Sequence, residues 1–155
     1  MQNIYEKYAD LLVQYSLDIQ KGDRLLIIST PLAEPLVREV YRAALRAGAH
    51  PETRISLAGI ERMLYDEGSE EQLSYVSPMY FYAVEHYQAF LTIRAPYNVK
   101  ELQDVEARKK RIASIAEAPM RKIYRERAAS GSLKWTLCEF PTDSQAQECG
   151  LSRRE

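Results

Sequence analysis

The chain has 155 residues, 46% of them hydrophobic and 28% charged, with 21 Lys and Arg set against 22 Asp and Glu. Such a composition predicts one soluble globular domain that buries ~70% of its unfolded surface without a disulfide or metal staple. The cancelled charge excludes the broad positive field that nucleic acid or an anionic membrane would require.

Ile4, Tyr8, Leu11, Leu12, Tyr15 and Ile19 recur at helical spacing and predict an amphipathic helix from Asn3 to Gln20 with that row inward. Gly22 should cap its end in the left-handed conformation. Leu25 to Ile28 are apolar without alternation, which suits a central parallel strand covered on both faces. Pro31 and Pro35 place a helix start between Thr30 and Pro35. Leu36, Val37, Val40, Tyr41, Ala44 and Leu45 form its expected buried stripe, and Gly48 closes it.

In PETRISL, Thr53, Ile55 and Leu57 alternate with Arg54 and Ser56, the pattern of an edge strand with one wet face. Two or three short helices should fill Gly59 to His86, broken near Gly68-Ser69 and Ser77-Pro78. The tyrosines there (Tyr65, Tyr75, Tyr80, Tyr82 and Tyr87) read as packing groups whose hydroxyls need partners. Ala89 to Ala95 is a third strand ended by Pro96. A charged helix follows Asn98, with Val105, Ile112 and Ile115 inward and Arg108 to Arg111 outward in solvent. Pro119 should end or kink that helix. Another helical piece reaches Gly131, and SLKWTLCEF is the fourth strand.

Strands alternating with helices predict a three-layer α/β domain, Rossmann-like or flavodoxin-like, with a mainly parallel sheet in the order 2-1-3-4. One domain spanning 1–155 is the expected count. The N-terminus lacks the basic start and apolar core of a leader, and no stretch approaches the ~18 apolar residues of a spanning helix. With only Cys138 and Cys149, reduced thiols and a cytoplasmic location are expected.

Ligands of such sheets bind beyond the carboxyl ends of the strands, where connections part toward opposite faces. That rim would hold Ser29, Thr30, Arg94 and Asn98. The turn STPLAEP contains no glycine, so it offers neither a dinucleotide fingerprint nor a phosphate-gripping loop. Its hydroxyls could hold an anion at the helix start, but capping is their commoner use. His50 and His86 are the only histidines and have no partner at i, i+4, while Cys138 and Cys149 form no CxxC, so no metal site is expected. No histidine lies near Cys138, Cys149 or Ser29 to activate a nucleophile. Glu70 and Glu71 read as a solvated face rather than an acid and base pair. No catalytic residue is assigned.

YADLLVQYSLDIQKGDRLLIIST, PLAEPLVREVYRAALRAGAHPE, the strand ending IRAPYN, and KWTLCEFPTDSQAQECGLS keep one order and register over nearly the whole chain. Together they resemble the N-terminal part of the aminopeptidase T family, thermophilic metallo-aminopeptidases also called leucyl aminopeptidases. The resemblance implies a two-part protein, typically a homodimer. Its larger downstream catalytic domain supplies Glu, His, Asp and Tyr ligands to two divalent ions, zinc or cobalt. Two such cations about 3.5–4 Å apart generate hydroxide and steady a tetrahedral oxyanion. None of those ligand positions matches a residue of this sequence, so no cofactor is expected in the chain itself.

Cys149 stands where the family commonly has alanine and Leu151 where it has methionine. The family continues into an acidic helix after Ser152, where this sequence halts at Arg153-Arg154-Glu155, so a fragment or truncated member is expected. Its implied role is a structural and interaction domain, inactive alone, of an enzyme that removes N-terminal residues from peptides. The rival expectations are a free-standing flavodoxin-like small-molecule binding module and a short regulatory paralogue.

Overall fold

The apolar run Leu25 to Ile28 lies at the heart of a four-stranded, all-parallel sheet. A computed structural model describes residues 3–151 of this fold. The strands are β1 (Arg24–Ser29), β2 (His50–Ile55), β3 (Ala89–Arg94) and β4 (Lys134–Glu139). Their order is β2-β1-β3-β4, as the sequence predicts. Having no alternation, β1 can be covered twice: Leu25 and Ile27 enter one hydrophobic cluster and Leu26 another.

On the first face lie α1 (Ile4–Asp10), its continuation Leu11–Ser16, and α2 (Glu34–Arg46). They pack with Ala89, Leu91 and Ile93 of β3 into a cluster of twenty buried residues among those described. On the second face, α5 (Pro78–His86) and α6 (Ala107–Ala129) cover Leu26 and Phe90 in a cluster of seven. The short α3 (Ile60–Glu67) and α4 (Glu70–Leu73) belong to this side, broken at Gly68-Ser69 and Ser77-Pro78 as expected. A capping box made by Thr142 and Gln145 starts α7 (Asp143–Glu148) after β4. Among the described residues no helix is long and apolar enough to cross a membrane. Ser152 to Glu155, where the sequence reading expects a helix to break off, lie outside the described residues.

Several expected details are corrected. The first helix does not reach Gln20: after Asp10 it widens into a π-helical stretch, Leu11–Ser16, closed by Leu17 N–H donating to Leu12 O at 3.0 Å. The extra residue per hydrogen-bonded loop rotates the later side chains. The inward row becomes Ala9, Leu12, Val13 and Leu17, while Ile4, Leu11 and Tyr15 are exposed. Gly22 (φ 87) therefore caps no helix and instead turns the chain into β1, its N–H bonding Gly48 O at 2.9 Å.

On α2, Ala43 replaces Tyr41 and Leu45 in the buried stripe. In β2 only Pro51 is buried, so the strand is wet on both faces, and it ends at Ile55. Residues 99–104 form turns rather than helix, and Ile115 is exposed. Pro119 does not end α6, which runs through it to Ala129 as one element.

Candidate functional site

The crevice between the carboxyl ends of β1 and β3 is the switch point, since the chain leaves β1 toward the first face and β3 toward the second. The β1–β3 ladder ends at Ile28 and Thr92. Beyond it, buried Ser29 donates its hydroxyl to Ile93 O at 2.9 Å and Thr30 donates to Ala95 O at 2.6 Å. The two hydroxyls thus extend the ladder. Neither makes a capping bond to α2, unlike the commoner use expected of them, and both hydroxyl donors are spent within the fold.

The other two rim residues are also engaged. Arg94 pairs with Glu139 at 3.1 Å. The Asn98 side-chain Oδ1 accepts from Lys100 N–H at 2.9 Å, and next to it Val99 N–H donates to Ser144 Oγ at 3.0 Å, tying the loop after β3 to α7. Arg94, Asn98 and Thr30 nevertheless line one hollow above the sheet edge, a cavity of about 870 Å³. Ser29 is not among its walls.

Arg54 of β2, which the sequence reading does not single out as a site candidate, lines this cavity together with Tyr80, while its strand neighbour Glu52 stands on the same face outside it. Register pairs Leu26 with Glu52 and Ile28 with Arg54, so both polar side chains of β2 stand on the second face. Arg54 lies over the Tyr80 ring, 4.2 Å from its centroid. Burial raises the Tyr80 phenol above its ordinary pKa, with Arg54 opposing and Glu117 adding to the rise. Glu52 accepts the Tyr87 hydroxyl at 2.5 Å; burial first, then that bond to a carboxylate, pushes Tyr87 up to about 12. The hint in the sequence was two polar residues at i, i+2 on an edge strand.

From α3, Glu61 also lines the cavity. Partial burial, then the charges of Glu101 and Glu117, raise its pKa above the usual carboxylate value. The loop before α6 is clamped to α3 by Arg62, which pairs with Asp66 at 2.8 Å, with Asp104, and donates to Glu101 O at 3.2 Å. The basic run at the start of α6, expected from sequence to be solvated, is partly engaged within the fold. Lys109 and Lys110 are half-buried and donate to Tyr65 O and Leu102 O, while Arg108 pairs with Glu70. These contacts hold the mouth of the cavity in shape.

Among the described residues no group of three or more His, Cys, Asp and Glu side chains is arranged to hold a metal ion. His50 is exposed on β2. His86 stacks on Tyr82 at the end of α5, with Nδ1 2.9 Å from Tyr82 O. Cys138 is buried in β4 and Cys149 exposed after α7.

Residues 1–151 match the family described as thermophilic metalloprotease (M29). The chain belongs to that family. An M29 metalloprotease acts through metal, yet the side chains described above do not fit one. Aminopeptidase 2 of Geobacillus stearothermophilus is 29% identical over a match of 148 residues that covers 92% of this chain and 36% of that protein. The solved structure of wild-type AmpT from Thermus thermophilus superposes with a TM-score of 0.79 over 97% of this chain and 40% of its own, at 23% identity. The second likeness establishes the shared fold. The chain thus spans a little over a third of the length of these relatives.

Proposed function

We propose that this M29 chain is a single non-catalytic domain, N-terminal in the whole protein, of a metal-dependent aminopeptidase that removes N-terminal residues from peptides. The supporting observation is the asymmetry of coverage: the matches take in 92% and 97% of this chain but only 36% and 40% of the relatives. The donor chemistry agrees, since a hydrolytic centre of two zinc or cobalt ions needs several clustered carboxylates and imidazoles. In this reading the ligands belong to a downstream catalytic domain, which this domain positions and partly encloses while contributing to a homodimer. The exposed Cys149 thiol suits a reducing cytoplasm.

Adding zinc or cobalt to the purified chain tests the proposal directly. It should leave leucine p-nitroanilide intact, and metal-dependent turnover by these residues alone would overturn the non-catalytic reading. A free-standing module working through Ser29 and Thr30 is not favoured, because both hydroxyls already bond β3.

A further inference from the structure

The 870 Å³ cavity falls within the ~300–1,000 Å³ range of small-molecule sites, and its charges follow a pattern. Of the five ionic side chains that line it, two are neutralised within the fold: Arg94 by Glu139 at 3.1 Å and Glu117 by Arg121 at 2.9 Å. Arg54, Glu61 and Glu101 have no ion pair among the described residues, and the first two are of opposite sign. Arg54 is held over the Tyr80 ring and has no carboxylate within ion-pair distance among the described residues. Glu61 has no hydrogen bond or ion pair there, and feels only the repulsion of Glu101 and Glu117. Neither of the two satisfies the other, although both face one hollow.

The same cavity is also lined by apolar and aromatic side chains, among them Leu57, Ile60, Leu64 and Tyr75. Large side chains among these are left in water: Leu57 is 63% exposed and Tyr75 70%. A guanidinium already stacked on a ring has less freedom to lose when a planar carboxylate arrives, and its remaining N–H groups can meet both oxygens. A partly desolvated carboxylate beside two others gains most from an ammonium ion.

We propose that this cavity binds a zwitterion with an apolar body, its free carboxylate taken by Arg54 and its free ammonium by Glu61. Apolar amino acids and short peptides share that chemistry. The proposal stands on the cavity's own charges and is independent of where the family's hydrolytic centre lies, so a failed peptidase assay leaves it untouched.

The experiment titrates the 155-residue chain, followed by amide NMR shifts, with leucyl-leucine, free leucine, N-acetyl-leucyl-leucine and leucyl-leucinamide. Leucyl-leucine or leucine should shift Arg54, Ser56, Glu61 and Tyr80 saturably. Whichever binds more tightly identifies the source, peptide or amino acid. Blocking either end should weaken binding ~10-fold or more, as expected for losing a charged hydrogen bond. Arg54→Gln should abolish the preference for a free carboxylate over the amide, and Glu61→Gln the preference for free over acetylated ammonium. Absence of saturable shifts up to the ligand's solubility, or equal affinity for blocked and free ends, would overturn the proposal. Because the blocked-ligand comparison uses the unsubstituted chain, it decides the matter even if a variant misfolds.

Discussion

The two faces of one sheet have come to different ends. The first face is sealed: alternate residues of β1 and β3, with Leu36, Val37 and Val40 of α2, close twenty buried residues into one cluster among those described. The second buries seven, and its edge strand turns Glu52 and Arg54 toward the helices rather than apolar groups. Trp135 and Leu137 of β4, in register with Phe90 and Thr92 on that same face, remain 56% and 49% exposed. One side of the molecule is therefore a foundation, and the other a surface on which polar groups and a cavity stay accessible.

Substitution of core residues gives the largest test of this contrast. Leu36→Ala on the sealed face removes a fully buried side chain and should lose stability toward the upper end of the ~2–5 kcal/mol seen for such truncations. Met120→Ala on the open face, where the cavity already adjoins the side chain, should lie toward the lower end. Urea denaturation measures both. Equal or inverted losses would break the distinction.

Neighbouring leucines in the π-helical stretch sharpen it further. Leu12 is 3% exposed and Leu11 is 51%. Leu12→Ala should therefore cost ~2–4 kcal/mol and Leu11→Ala no more than ~0.5 kcal/mol in thermal unfolding. A continuous α-helix, which would carry both on the inward row, predicts comparable losses.

That pair also shows what the sequence made legible. The apolar run of β1, the helix breaks at Gly68-Ser69 and Ser77-Pro78, and the strand order 2-1-3-4 were open to reading because each rests on local composition and a short-range rule. The π turn was hidden because periodicity assumes a constant pitch. Pro119 does not end α6, because a single missing backbone donor does not outweigh a helix packed through Met120, Ile123 and Tyr124.

The site was less legible still. Ser29 and Thr30 can be located at the end of the first strand from sequence, but their partners, Ile93 O and Ala95 O, lie 64 and 65 positions away. Arg54 over Tyr80 depends on a β2 register and an α5 position that only the assembled fold brings together.

The smallest effect expected is a gain. Glu61 has a raised folded-state pKa, so its ionised form is disfavoured by folding. Both states are protonated well below the unfolded value of ~4.3; the penalty grows as pH rises through that value and is complete above the folded pKa. Glu61→Gln should thus raise Tm slightly at pH 7 and leave it unchanged near pH 3. The same substitution costs the proposed ligand contact, an exchange of function against stability common at binding sites. A gain that persisted at pH 3 would assign the effect to packing instead.

Native-state hydrogen exchange on the 155-residue chain tests the contrast between the faces most directly. Elements that bury few apolar groups open locally, below the cost of global unfolding. Amides of β1, β3 and α2 should exchange only through global unfolding, while those of α3 and α4, walls of the cavity, should exchange through openings of clearly lower free energy. Uniform protection across both sets, at the level of global unfolding, would contradict the account.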